Sequence, residues 1–490
     1  MNGERKPSLL DRALRIFAEV RAGEGATVII LAMNVCLLLT AYYILKPIRD
    51  GLILAERGAE GTAYMSAAMA FLLVPVIALY GRMADRFPRR RLINVVTLFF
   101  AGCTVVFFLA GQAGLKIAIP FFVWVGIFNV MILALFWGFA NDLYTNEEGE
   151  RLFPIVQVGA ALGGIVGAKA VAEMVVPLGL NYPMLLAGAL LVATLALTSW
   201  VDRRERQRTE AGVDPSSSTA FAPAATGEFR LDTGEFKNLR EALKEALERE
   251  ARGEPFEVES PVTEPQVETG KSAFAMVLQT RYLLYIAILI LLLNWVNTNG
   301  ENLLNYLIDG AARAAVASDP SGTVTVASWA TEFRGSFYYW VNVVVLVTQL
   351  FFVSRIIKYV GVHVAIMVLP VIALGSYALI ALYPVLEYVR WAKTAENATD
   401  YSLQSTVQQA LFLPATREQK YKAKQVTDAF SKRLGDTLAA LTVFVVANLL
   451  GTSIRAFALI NIVLVLVWLG VAYRIGREYR ELVRTGRPPV

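Results

Sequence analysis

Charged side chains interrupt long apolar runs at three places in this chain. Near residue 46 the order is Tyr42-Tyr-Ile-Leu-Lys46-Pro47-Ile-Arg49-Asp50-Gly51, after which the chain turns apolar again. Near residue 300, Asn294, Asn297, Asn299, Glu301, Asn302 and Asn305 lie between Leu291-Leu-Leu and Leu303-Leu304. Between Tyr383 and Lys424, the polar positions Glu387, Arg390, Lys393, Glu396, Asn397, Asp400, Gln404 and Gln408 recur every three or four residues, which lines much of the polarity up on one helical stripe. A charged side chain at the centre of a bilayer costs roughly 3 kcal/mol or more, so a stripe facing acyl chains is excluded. Such residues line a wet cavity or pair with other helices. The chemistry they offer is electrostatic: cations attract an anionic solute, and carboxylates hold those cations while no solute is bound. A soluble helix following an apolar segment is the plainer alternative for the Tyr383–Lys424 stretch.

The elements that must position these groups are membrane helices. Of the 490 residues, 56% are hydrophobic and 18% charged; mean hydropathy is +0.50. Apolar runs long enough to cross a bilayer lie near 26–54, 61–81, 92–111, 116–140, 153–176 and 183–201, then near 281–306, 336–354, 362–383, 385–412, 431–450 and 454–475. The expectation is an all-α membrane protein with twelve transmembrane helices in two six-helix halves. Its parts are an amphipathic N-terminus over 1–25, an N-terminal half over 26–201, a polar linker over 202–272, a C-terminal half over 273–475 and a basic tail over 476–490. Residues 1–25 carry Arg5, Lys6, Arg12, Arg15 and Arg21 among helically spaced apolar residues, the pattern of a surface helix. The linker is too polar to bury a core, although Leu239, Leu243 and Leu247 would share one face of a helix over Phe236–Arg252. Lys and Arg concentrate on one side: at the N-terminus, Arg82–Arg91, Arg203–Arg208, Arg355/Lys358, Arg417–Lys424 and the tail. Lys116, Arg313, Arg334 and Arg455 fall on the other. Both termini are therefore expected in the cytoplasm, in the cell's inner membrane.

Other classes have little support. A net charge of +5 does not imply a nucleic-acid partner. Cys36 and Cys103 form no metal or disulfide framework, and the single histidine is His363. No phosphate-binding glycine loop, nucleophile motif or metal cluster is evident, so neither an enzyme nor a cofactor is expected. Gly159, Gly163 and Gly167 are spaced by four, as in closely packed membrane helices. Lys169 and Glu173 either neutralise each other or contact solute. Arg49 and Glu301 sit at similar depth in their runs and read either as a clamp on solute or as a structural ion pair. Asn141 and Asp142, closing Leu135-Phe-Trp-Gly-Phe-Ala-Asn141-Asp142, extend this polar set. Tyr42, Tyr43, Trp137 and Tyr401 offer faces for a planar base, an acyl chain or a sugar.

Two resemblances sharpen the expectation. The loop Gly81-Arg-Met-Ala-Asp85-Arg86-Phe-Pro-Arg89-Arg90 resembles the cytoplasmic signature of the major facilitator superfamily, with Pro88 where that signature has Gly. Ile44-Leu-Lys-Pro-Ile-Arg49-Asp50, Leu135–Asp142, Glu396-Asn-Ala-Thr-Asp-Tyr401-Ser-Leu403, Leu411-Phe-Leu-Pro414 and Tyr421-Lys-Ala-Lys424 are similar to the ATP/ADP antiporters of plastids and intracellular bacteria. The resemblance implies a facilitator-like fold that exchanges nucleotides by alternating access. It also implies two basic and two acidic intramembrane residues. Arg49 looks like the first basic one and Glu301 like one acidic one; Val123 and Gln408 stand where the other two are expected. From the residues and the resemblance together, the candidate substrate-binding set is Lys46, Arg49, Asp50, Asn141, Asp142, Asn297, Glu301, Arg390, Lys393, Asn397, Asp400, Tyr401, Gln404 and Gln408. A small anion, most simply a nucleotide, and the bilayer are the expected partners of a monomer. The rivals are a carrier of another organic anion or lipid headgroup, and a non-transporting membrane scaffold.

Overall fold

The computed structural model describes residues 20–21, 24–144, 146–210, 273–416, 419, 424, 426–449, 453–485 and 489. Nearly all of residues 1–25, the helix expected over Phe236–Arg252, and Arg417, Lys420 and Lys422 lie outside the described residues. Among the described residues there is no strand. The helices are α1 Gly25–Arg86, α2 Arg89–Gln112, α3 Ala118–Leu143, α4 Asn146–Leu178, α5 Tyr182–Glu210, α6 Ala273–Gln279, α7 Arg281–Ala317 and α8 Val326–Thr348. There follow α9 Ser354–Val360, α10 Val362–Leu382, α11 Leu386–Thr399, α12 Ser405–Leu411, α13 Lys432–Leu449 and α14 Ile454–Thr485. Single π-helical turns sit at Gln349–Val353, Asp400–Gln404 and Thr427–Ser431.

Nine described helices are long and apolar enough to cross a membrane. The first includes 62 residues, which as one straight rod would run about 93 Å, three times the bilayer's hydrocarbon thickness. Gly58, at φ 68° and ψ −175°, divides it into two arms. That conformation is open essentially only to glycine. Pro47 and Pro75 lie inside the two arms.

The helices differ from the apolar runs mainly by running further. α7 continues about three turns past residue 306, α14 ten residues past 475, and α5 nine residues into the segment expected to be an unstructured linker. Hydropathy stops where the side chains turn polar, whereas backbone hydrogen bonds continue the helix into water. α8 starts ten residues before the expected run, at a capping box in which Thr325 and Ser328 satisfy each other's backbone N–H groups. The preceding loop is tied by Asp319, whose carboxylate accepts from the hydroxyl and backbone N–H of Ser321 and from the N–H of Val324. These bonds hold its pKa down at about 2.

The buried apolar side chains gather into two large clusters. One runs from Val20 to Val201; the other is drawn mostly from residues 277–475. In the first, α1 packs on α4 along the glycine stripe. A Cβ at Gly159, Gly163 or Gly167 would strike the carbonyl oxygens of Ala32, Cys36 and Thr40 respectively, so the two backbones touch. Between the clusters, α8 lies against α1 and α4. Gly335 has no room for a Cβ beside Ala168 and Ala172, nor has Gly51 beside Ala327 and Thr331.

Candidate functional site

The interrupted α1 brings its charges to the interface between these two clusters, and α7, α8 and α11 bring theirs together inside the second. On α1, Arg49 donates from Nε and Nη2 to Asp50 Oδ1, at 2.8 and 2.6 Å. The other oxygen of Asp50 accepts from the Tyr338 hydroxyl of α8 at 2.8 Å, so the two clusters are joined through one buried carboxylate. Arg49 also lies over the Phe122 ring, 4.9 Å from its centroid.

The second pair is Arg334 of α8 with Glu301 of α7, Nη1 to Oε2 at 2.8 Å. Arg334 is only 3% exposed and donates its other Nη to Asn305. Asn397 of α11 donates to the remaining Glu301 oxygen at 2.9 Å. The third pair, Lys393 with Glu396, lies inside α11 at 3.1 Å. Lys393 has no exposed surface and also donates to Asn297 Oδ1 at 2.9 Å. Glu396 accepts from the Tyr377 hydroxyl at 3.3 Å. Each buried charge thus has an opposite charge plus at least one neutral partner, the condition under which burial is tolerable.

Lys46 differs. It is half-buried and makes no ion pair among the described residues. Its ammonium lies 4.0 Å from the Tyr338 ring centroid, 5.5 Å from that of Tyr43 and 6.0 Å from that of Tyr42. It borders a cavity of about 360 Å³ with Tyr42, Tyr43, Asn129, Gln157, Asn342, Gln349 and Tyr401. A volume of roughly 300–1,000 Å³ is usual for small-molecule sites. A separate hollow of about 420 Å³, lined by Leu79, Arg82, Met83, Arg86 and Phe87 near the end of α1, lies apart from these charges.

The arrangement corrects several pairings expected from sequence. Arg49 and Glu301 read in the sequence either as a clamp on solute or as a structural ion pair; instead Glu301 binds Arg334, and Arg49 binds the adjacent Asp50. The reason is the early start of α8. Arg334, expected before the run at 336–354 on the side opposite the basic loops, enters the helix and pairs with Glu301. Lys169 and Glu173 pair at 3.7 Å but are 57% and 70% exposed, so theirs is not an internal pair. Arg390 donates to Ser336 at 2.7 Å and stacks near Phe333. Gln404 is fully buried, and both its amide atoms lack hydrogen-bond partners among the described residues. Gln408 and Asp400 are half-buried, while Tyr401 is 44% exposed and faces the cavity. Asn141 and Asp142 close α3, but their side chains lie outside the described ones. Val123 packs beside an apolar cluster that includes Ile53, Met69 and Phe122.

The chain is 21% identical over 389 residues to ADP,ATP carrier protein 1 of Chlamydia trachomatis, a match covering 72% of this chain and 63% of that protein. It is 20% identical over 390 residues to ADP,ATP carrier protein 1 of Chlamydia pneumoniae, covering 72% and 65%. The chain thus spans somewhat under two thirds of these relatives' length. Among solved structures, a POT family transporter bound to a thioalcohol-conjugated peptide superposes with a TM-score of 0.58 at 15% identity, covering 94% of this chain and 98% of that one. A nucleoside transporter superposes with a TM-score of 0.52 at 13% identity, covering 93% and 99%. Residues 31–396 match the family model of the Major Facilitator Superfamily. With most of its length inside that match, the chain belongs to the major facilitator superfamily and is a membrane transporter of that type.

Proposed function

We propose that this transporter moves a nucleotide, or a closely related phosphorylated anion, by exchange between two alternately exposed states. The observation that carries the reading is Lys46: a cation bordering the cavity, with no carboxylate at ion-pair distance among the described residues, set among Tyr42, Tyr43 and Tyr401. Phosphate oxygens satisfy the ammonium, and the tyrosine faces take a planar base by offset stacking. Arg49, Arg334 and Lys393 supply further positive charge behind it. The relatives named as ADP,ATP carriers support the same substrate class.

Counting the two arms of α1 separately, and adding the polar α11–α12 and the shorter α13 to the other candidate spans, makes twelve helices. Six fall in each half, and both termini then lie on the cytoplasmic face of the inner membrane. The halves rock about the charged layer, exposing the cavity first to one side and then to the other. Substrate replaces internal partners as it binds: its phosphates take up Lys46 first and then compete with Asp50 and Glu301 for Arg49 and Arg334. Asn297, Asn397, Gln404 and Gln408 read the neutral part. The protein works as a monomer.

One observation favours a second reading, an organic anion of lower charge. Val123 and Gln408 are uncharged where the ATP/ADP antiporter resemblance implies charge, and Val123 sits beside an apolar cluster. Purified protein in proteoliposomes loaded with ATP, ADP, AMP, inorganic phosphate or a dicarboxylate, each tested for counterflow of its labelled form, separates the readings. The nucleotide reading requires the strongest exchange with ATP or ADP. Exchange confined to the dicarboxylate or to inorganic phosphate would replace it with the second reading. Silence throughout, with a stoichiometric protein co-purifying, would replace both with a scaffold.

A further inference from the structure

Tyr338 touches two things at once. Its hydroxyl donates to Asp50 Oδ2 at 2.8 Å, and its ring carries the Lys46 ammonium at 4.0 Å. These contacts lie on opposite sides of a layer in the molecule. α1 and α8 run antiparallel, as the contacts of Gly51 with Ala327 and of Tyr43 with Tyr338 require. Toward one end of the pair, the backbone of Gly51 meets Thr331 and Ala327, Gly335 meets Ala168 and Ala172, and Thr331 has no exposed surface. That end is closed. Toward the other end lies the cavity, bordered by Tyr42, Tyr43 and Lys46 from α1, by Asn342 from α8 and by Gln349 from the π turn that follows it. Tyr338 stands between the open cavity and the sealed end, itself only 5% exposed.

We infer that Tyr338 is the positioning residue that couples occupancy of the cavity to the seal beyond it. The inference rests on the anion-carrier reading and adds a residue and an order of events to it. Lys46 lies over the ring, which stands edge-on to Tyr43 at a centroid distance of 6.1 Å with its hydroxyl on Asp50. Asp50 is oriented for that bond because Arg49 occupies its other oxygen. An anion in the cavity draws the ammonium off the ring toward itself. The ring is then free to turn, the bond to Asp50 breaks, and the only direct hydrogen bond between the Lys46–Asp50 segment and α8 among the described residues is lost. The seal opens when the cavity is filled, and stays shut when it is empty. That is the ordering exchange needs, since an empty carrier does not then cycle.

The test reads the seal directly and needs no transport. In a chain with Cys36→Ala and Cys103→Ala, Thr331→Cys places one thiol at the closed end, and its reaction with a maleimide is followed in detergent. The parent should label slowly. Tyr338→Phe keeps the ring and removes the bond, and labelling should rise about tenfold, the ratio expected for one buried charge-assisted hydrogen bond. Lys46→Met keeps the bond and removes the brace, and should fall between the two. ATP should raise labelling of the parent and add nothing to Lys46→Met. Labelling of Tyr338→Phe at the parent's rate, with an unchanged melting temperature, overturns the inference. Lys46→Met at the parent's rate overturns the link to the cavity. If both variants label faster while ATP leaves the parent unchanged, the latch stands and the nucleotide reading falls. Asp50→Asn with Tyr338 in place, which keeps a carbonyl acceptor for the tyrosine hydroxyl, should retain most of the parent's protection; labelling as fast as Tyr338→Phe would contradict the role given to that bond.

Discussion

The two halves bury their polar groups in different ways. In the N-terminal half, α1 and α4 meet through glycines, backbone on backbone, and the helices are held mainly by close packing. A buried ion pair, Glu24 with Arg151 at 3.1 Å, joins their starting ends. In the C-terminal half, the interior carries Arg334–Glu301 and Lys393–Glu396, with Asn299 donating to Asn461 and Trp295 to Thr442. The three π turns among the described residues also fall in this half, at the ends or middles of α8, α11 and α13. Such turns are frequent at functional sites, and one of them carries Asp400, Tyr401 and Gln404. Close glycine packing makes a stiff frame. Buried ion pairs contribute little net stability, since desolvation offsets most of their attraction, so their retention points to a task other than holding the fold. The N-terminal half supplies the frame, Lys46 and the Arg49–Asp50 pair; the C-terminal half supplies the other charges that can exchange partners.

The largest effect should come from breaking a buried pair on one side only. Arg334→Met leaves Glu301 without its cation and should cost about 3 kcal/mol of stability, read as a lowered unfolding midpoint in detergent. Adding Glu301→Met should return most of that loss. If the double variant is no more stable than the single one, the pair holds the C-terminal half together and the contrast fails. Next is the glycine seam: Gly163→Leu drives a side chain into the Cys36 carbonyl and should cost about 2 kcal/mol or more. By comparison, Gly102, where an added Cβ meets nothing within 4 Å, should accept Ala with a gain of up to about 1 kcal/mol from helix propensity. Smallest is Lys169→Ala on the exposed pair, which should change stability by less than about 0.5 kcal/mol.

Much of the fold was legible from hydropathy, because a bilayer demands runs of a set length and the charged loops punctuate them. Of the polar stripe of the tenth run, Lys393, Glu396, Asn397 and Gln404 are buried inside the protein, while Glu387 is exposed and Arg390, Asp400 and Gln408 are half-buried. What hydropathy could not give was partner choice. Arg334 fell outside the apolar run at 336–354, whereas the capping box at Thr325 shows that the helix has already begun. That box, Thr325 followed by Ser328, was the available signal. Asp50 was grouped with substrate contacts, whereas its neighbour Arg49 and the distant Tyr338 occupy both its oxygens; a contact across 288 residues leaves no trace in local spacing. The depth of α1 was readable, but its division at Gly58 depends on a backbone angle that a lone glycine only permits.

The central claim is that the charges between the halves serve an anionic substrate and not the fold. The most direct measurement is ATP counterflow in proteoliposomes by the wild type beside the Arg334→Met/Glu301→Met variant, at matched protein incorporation and with unfolding midpoints recorded for both. The account predicts saturable exchange by the wild type and at least about a hundredfold less by the variant, at nearly equal stability, since removing charge contacts to a phosphate costs about 3 kcal/mol. Equal exchange by the two proteins would contradict it.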